Sequence, residues 1–391
     1  MISSTLPLVA LIAATTAFAF LLDRHVPALS KVGASLLALA LGAILTNTGV
    51  VPAASPVYDT IAGPVTSLAI AMLLLAVNLG DLRRAGPRML GAFGLAALGT
   101  ASGAAVGAFM FASHLGEDTW RLAGTLTGTY TGGSLNFVAV GRGVGLPDAL
   151  FAGATAADAL TTGLWLGVTL MLPIWIGRFY PSVPTSVLEG DLVDAAAADI
   201  AAESRDEEHH PFFVRVPVSA LQLTTLLATG FLLLAASDVL ATWTPGIPAV
   251  LWLTTLALIV GHTPWFRDPA GAMQVGTVAL HFFFVVIGIW SRVSEIVAVG
   301  VEVFFYTLVV VGVHGLVVYG GGRLARIDVG SLSVASQAAV GGPSSALAVA
   351  VSREWRGLIL PGIIVGLAGY ALGNYLGFGV AYLVRGMGVG L

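Results

Sequence analysis

The sequence predicts an all-α polytopic membrane protein. It reads as an inverted repeat of about five spans plus one broken or re-entrant segment per half, roughly ten to twelve transmembrane segments in all. Three observations predict it. Charge is scarce: of 391 residues only 17 are Lys or Arg and 21 are Asp or Glu, so 10% are charged against 57% hydrophobic, with a mean hydropathy of +0.93. A soluble domain is about a quarter charged. Apolar segments of bilayer length recur along the chain, and the second half echoes the first at a fixed offset. This composition excludes a soluble enzyme and a disordered chain, and the net charge of −4 excludes a phosphate-tracking nucleic-acid binder. With no cysteine, disulfides and thiol chemistry are excluded as well.

The apolar segments run in order Leu6–Leu22, Val32–Val51, Val65–Leu79, Met89–Ser113, Trp120–Gly141 and Leu150–Ile176. After a polar stretch come Phe212–Ala236, Pro248–Gly261, Ala272–Trp290, Ile296–Tyr319, Leu332–Val351 and Leu358–Val384. Met1–Thr5 lacks Lys and Arg, so the first segment is expected as a retained span rather than a cleaved signal. The organisation expected is a first repeat over 1–177, an acidic cytoplasmic linker over 178–216 and an inverted second repeat over 217–391. The linker holds eight acidic residues from Glu189 to Glu208 and reads as a solvated, Ala-rich tether. His209 and His210 are adjacent and cannot share a helix face, which argues against a metal site there.

Duplication shows in the offsets. Gly80 and Gly288 are 208 positions apart, each closing an apolar span before a short charged turn. Downstream, Gly132-Gly133 and Gly341-Gly342 are 209 apart. The basic residues then choose the parity. If all twelve segments cross, Lys and Arg divide nine to eight and no orientation is favoured. If the two segments with Gly pairs enter and return on the same side, thirteen fall on one side: Arg24, Lys31, Arg83, Arg84, Arg88, Arg178, Arg205, Arg215, Arg267, Arg323, Arg326, Arg353 and Arg356. Only Arg121, Arg142, Arg292 and Arg385 remain opposite. The expected topology therefore has ten spans and two hairpins, one dipping in from each side. The N-terminus lies outside the plasma (inner) membrane and the linker lies in the cytoplasm.

The two broken segments carry the chemistry. LAGTLTGTYTGGSLNFVAVG and SLSVASQAAVGGPSSALAVAV are apolar at their flanks and small and polar in the middle. Each Gly costs a helix about 1 kcal/mol relative to Ala, and Pro343 removes a backbone donor. Freed backbone groups at membrane depth survive only inside protein or beside a wet cavity. A helix starting after Gly133 or Pro343 aims N–H groups and the positive end of its dipole at the break, while a helix ending there offers bare carbonyls. Thr129, Tyr130, Thr131, Gly132, Gly133, Ser134, Asn136, Ser336, Gln337, Gly341, Gly342, Pro343, Ser344 and Ser345 are the candidate substrate- and ion-binding residues. The bland alternative is that Gly, Ser and Thr serve tight helix packing.

Asp158 is the carboxylate placed well inside a span. Unpaired at the centre of a bilayer it would cost at least about 3 kcal/mol, so it must face protein or a cavity. It is the candidate ligand for a coupling Na⁺ or proton, with Thr155, Thr161 and Thr162 on the same helix face; the alternative is a carboxylate that caps a hairpin. Weaker signals are Glu302, which can snorkel, His281 and His314, which fit satisfied packing histidines, and Asn78 and Asn374, which fit a polar core or a helix bridge. Gly99, Gly103 and Gly107, like Gly369, Gly373 and Gly377, form small-residue stripes that predict close helix contact.

At GTYTGGSLNF, the DAL run holding Asp158, and VGGPSSALAVA followed by LILPGIIVGLAGYALGNYLG, nearly the whole chain resembles the YjcL-like integral membrane proteins of bacteria and plastids, a family of unknown function. That family is grouped with the cation:proton antiporter and anion transporter superfamily, whose relatives include sodium–glutamate, bile-acid and citrate symporters. The resemblance implies inverted repeats, broken segments at the site and coupling to Na⁺ or H⁺. It places Thr129 to Asn136 and Gly341 to Ser345 at that site. Antiporters of the superfamily often carry adjacent aspartates. Here Ala156 and Ala157 precede Asp158, which argues against exchange of that kind.

The function expected is secondary active transport of a small anionic organic solute, coupled to Na⁺ or H⁺. No cofactor and no nucleic acid are involved, and the scaffold spans are a candidate homodimer interface. The alternative is an ion or solute channel with re-entrant pore loops. An enzyme is not expected: there is no H-E-x-x-H and no paired carboxylates in one span, and a Ser344–His314 pairing has no support from spacing.

Overall fold

The computed structural model describes residues 2, 4–30, 33–183, 216–266, 269–290 and 293–390, without the side chains of 293–299. Most of the acidic linker, including His209 and His210, lies outside the described residues, as do Lys31, Arg205, Arg215, Arg267 and Arg292. The described residues form helices and no strand.

Each apolar segment becomes a helix because lipid leaves backbone groups no partner outside the segment itself. In the first half these are α1 (Thr5–His25), α2 (Ala34–Asn47), α3 (Thr66–Leu75), α4 (Leu82–Leu115), the pair α5 (Thr119–Gly132) and α6 (Ser134–Gly143), and α7 (Asp148–Ile176). The second half holds α8 (Ala220–Trp243), α9 (Ala249–Gly261), α10 (Ala272–Trp290), α11 (Val293–Gly315), α12 (Val329–Ser352) and α13 (Ile359–Gly386). Among the described residues, eight helical stretches are long and apolar enough to cross a membrane, and α2 and α9 are shorter apolar helices. The chain is thus an all-α polytopic membrane protein, with six elements in matching order per half. Of the boundaries that differ from the apolar runs, two have a clear local cause. The run from Phe212 becomes helical at Ala220, where Ser219 and Gln222 close a capping box. The span ending at Tyr319 continues through a π-turn, Leu316–Gly320, to Leu324.

The chain divides into two compact units, and each takes three elements from each half. Unit one contains α1–α3, the start of α7, α8–α10 and the start of α11. Its helices meet at glycines. A Cβ on Gly42 of α2 would strike the Val285 carbonyl of α10, and one on Gly288 of α10 would strike the Leu39 carbonyl of α2. Gly230, Gly261 and Gly276 seat α8, α9 and α10 against Leu68, Leu75 and Leu73 of α3. His281 is satisfied there, bonded to the Thr277 carbonyl (2.8 Å) and the Ser35 hydroxyl (3.2 Å), as the packing reading expects.

Unit two contains α4, α5, α6, the rest of α7, the rest of α11, α12 and α13. The small-residue stripe of α4 lies on α11: Gly99, Gly103 and Gly107 face His314, Val310 and Tyr306 with no room for a methyl group. Small residues let backbones approach this closely where lipid supplies no hydrophobic drive between helices.

Candidate functional site

Both broken segments fold back as helical hairpins. In the first, Gly133 takes φ +72°, so the helix cannot continue and α6 leaves in a new direction. The arms return side by side. The Arg121 Nε near the start of α5 donates to the Val144 carbonyl just past α6 (3.1 Å), and Gly128 lies against Asn136 and Val140. In the second, Gly342 at φ +79° breaks α12 just before Pro343. Val334 and Ala346, from opposite sides of that break, both face Gly362. Twelve residues of straight helix would hold them about 18 Å apart.

The last helix, α13, aligns the two hairpins. Read along it, Leu358 touches Gly330 at the base of the second hairpin, and Gly362 touches its arms. Gly366 touches Pro343 at its tip. Then Gly369 meets Thr131 and Gly132 at the tip of the first hairpin, Gly373 meets Asn136 and Gly128, and Gly377 meets Val140 and Gly124 near its base. The hairpins therefore approach from opposite ends of α13 and meet tip to tip one turn apart, near the middle of a helix about 42 Å long. Tyr370 lies at the junction. A Cβ on Gly133 would be 3.8 Å from its ring, and one on Gly342 would be 3.9 Å from its hydroxyl.

Local bonding separates structural from available polar groups. Thr125 and Thr127 of α5 give their hydroxyls to carbonyls one turn back, Arg121 (2.7 Å) and Ala123 (2.8 Å). That is the ordinary resting place of a helical threonine. Thr129 and Thr131, the next two on the same helix, are buried without such a bond, and so is the side-chain carbonyl of Asn136. The Asn136 amide is committed, donating to the Tyr370 carbonyl (2.9 Å) and to Asn374 Oδ1 (3.0 Å). In the second hairpin the Gln337 amide nitrogen is buried and unpartnered beside Gly341 and Ser345, while its carbonyl accepts from Thr169 (3.3 Å). Buried polar atoms are paired in the great majority of cases, so four gathered at two breaks require an explanation. Ser134, directly after the first break, and Ser344, two residues after the second, are exposed. No side chain caps α6 at Gly133, which leaves its first N–H groups open.

The candidate residues divide accordingly. Thr129, Thr131 to Asn136, Gln337 and Gly341 to Ser345 line the two tips and their approaches. Tyr130 contributes its carbonyl, which accepts from Thr100 (2.8 Å). Ser336 points away from the tip, between His314 (2.8 Å) and Trp165 (3.0 Å). His314 bonds Ser336 and Thr100, not Ser344, so the Ser344–His314 pairing is not formed. Asp158 is half-buried on α7 in unit one, and the hairpins belong to unit two. Its neighbour Thr155 bonds the Phe151 carbonyl (2.9 Å), and Thr161 bonds Thr307 (2.7 Å). Asn374 joins the polar core through Asn136, whereas Asn78 is exposed and makes a turn with Gly80 and Asp81. Sequence reasoning missed Tyr370, Thr100 and Trp165. Tyr370 follows directly on the stripe residue Gly369, and that adjacency is the signal that could have found it.

Matched hairpins buried in a bundle of apolar helices define a polytopic membrane protein of the broken-helix kind. The chain belongs to the family described as "Protein of unknown function (DUF819)", which it matches over residues 10–387. It is also similar to the uncharacterized membrane protein YjcL of Bacillus subtilis (strain 168), at 28% identity over 352 residues covering 89% of each chain.

Proposed function

We propose that this protein is a secondary active transporter that moves a small anionic organic solute across the plasma membrane, coupled to Na⁺ or H⁺. One observation carries the reading: two hairpins reach the middle of α13 from opposite ends, and each brings buried, unpartnered polar atoms to its tip. A solute held between them is reachable from either side as one hairpin or the other moves, which is what alternating access needs. The open N–H groups after Gly133, the Gln337 amide and the Tyr370 hydroxyl suit an anionic head group. The oxygens of Thr129, Thr131 and Asn136 suit a small hard cation.

In this reading the hairpin-bearing unit carries the solute, the other unit is the scaffold and offers a homodimer interface, and Asp158 is a coupling-ion ligand. The N-terminus is outside and the acidic linker is cytoplasmic. The test is uptake into proteoliposomes, with solutes first chosen by thermal-shift screening with and without Na⁺, since a ligand stabilises the state it binds. Saturable uptake that follows an imposed Na⁺ or proton gradient is expected, and Asp158→Asn removes the ion dependence without unfolding the protein. Flux that does not saturate would replace the carrier with a channel. Labelling of the linker from outside intact cells would reverse the orientation.

A further inference from the structure

A chain of hydrogen bonds joins the two hairpins through His314. Thr100 of α4 donates its one hydroxyl proton to the Tyr130 carbonyl (2.8 Å), beside Thr129 and Thr131. It therefore accepts from His314 Nδ1 (2.9 Å), and the Ala96 carbonyl of α4 lies within reach of the same ring. With Nδ1 protonated, Nε2 of a neutral ring is an acceptor, and the Ser336 hydroxyl donates to it (2.8 Å). Ser336 in turn accepts from the Trp165 indole N–H (3.0 Å). Every proton then has one place, and the chain runs in one direction from Trp165 to the tip of the first hairpin. All of its side chains are buried.

We propose that His314 is a second protonation site of the transport cycle beside the coupling-ion ligand, binding one proton at Nε2 and so switching the bond between the hairpins. The relay is built to accept that proton. Both partners of the ring are hydroxyls, which can donate or accept. Once Nε2 carries a proton, Ser336 turns to accept it, and its own hydrogen passes to the Leu332 carbonyl one helical turn back, the usual partner of a helical serine. The imidazolium keeps both hydrogen bonds, and the Trp165 ring lies 5.8 Å away at 86° to it.

Among the described residues, the groups facing His314 are uncharged: Thr100 and the Ala96 carbonyl from α4, Trp165 from α7, and Ser336 from α12. Nearby, Tyr306 donates to the Ala104 carbonyl (2.7 Å), and the Tyr319 and Ser333 hydroxyls bond each other (3.0 Å). Asp328 is bonded to Ser331, Arg121 pairs with Asp118 at the far end of α5, and Asp158 sits two turns before Trp165 on α7. Proton binding switches Ser336 in the second hairpin and strengthens the pull on Thr100, which holds Tyr130 in the first. The site deepens the transport reading and rests on it for its consequence, whereas proton binding itself can be measured without a solute.

The test is a pH titration of full-length protein in detergent, labelled with ¹⁵N-histidine, and His314 is assigned by the resonance lost in His314→Gln. At pH 8 the ring is expected in the neutral Nδ1–H form. On acidification toward pH 4 it becomes imidazolium while helical circular dichroism is unchanged. Ser336→Ala, which removes the acceptor for the new N–H, moves that titration down by about half a pH unit or more. If His314→Gln does not fold, His314→Asn makes the assignment in its place. A ring that stays neutral at every pH where the helices persist, that charges only as they melt, or whose titration ignores Ser336→Ala overturns the proposal and leaves a fixed tie. Proteoliposome uptake can fail while His314 titrates, or succeed while it does not, so the two readings are judged separately.

Discussion

The two hairpins use one backbone device and present different chemistry. Each turns at a glycine with positive φ and packs its tip on α13. The first leaves three oxygens unpartnered, two hydroxyls and an amide carbonyl, from Thr129, Thr131 and Asn136. The second leaves one nitrogen, the amide of Gln337, and begins its outgoing arm with a proline that has no N–H to offer. The same frame thus carries a set of oxygens in one hairpin and a donor in the other. A site meant to hold two ions of opposite sign gains from that separation, because oxygen clusters attract a cation and N–H groups an anion.

The largest expected effect tests the shared frame. Gly369→Val should drive a side chain into the Thr131 carbonyl and separate the tips from α13, costing about 1–3 kcal/mol by overpacking; thermal unfolding in detergent reads it. Next, Asn136→Leu removes the bonds to Tyr370 and Asn374 that tie the first hairpin to α13. A loss of about 1–3 kcal/mol is expected, with Tyr370 left free to move. The asymmetry itself is probed by binding. Thr129→Val with Thr131→Val should weaken cation binding about tenfold, near 1.4 kcal/mol, without lowering the unfolding temperature, since neither hydroxyl is bonded. Gln337→Met should weaken the anionic solute and spare the cation; equal losses of both ligands in both variants would erase the proposed division. The smallest effect belongs to Thr127→Val, whose bond to the Ala123 carbonyl is an ordinary local one. It should stay within about 0.5 kcal/mol and leave binding unchanged.

Much of this was legible in the chain. Scarce charge and twelve apolar runs specify helices because a bilayer permits little else. The paired glycines marked both breaks, the thirteen-to-four division of basic residues favoured hairpins over crossings, and the Gly369, Gly373, Gly377 stripe announced a close contact. Those are signals of period, composition and local backbone strain, and they survive in one dimension. What touches what does not. Nothing in the sequence tells Thr127, bonded to its own helix, from Thr129, which is not, because both are threonines on the same stretch. Likewise His314 reads like His281 until hydroxyls, Thr100 and Ser336, are found at both nitrogens of one ring, and a backbone carbonyl and the Ser35 hydroxyl at those of the other. The sequence determined the helices, their breaks and their duplication, because each depends on neighbours along the chain. Only the tertiary structure decided that the tips meet at Tyr370 and that a histidine joins them, because both depend on residues up to about 240 positions apart brought within hydrogen-bond reach.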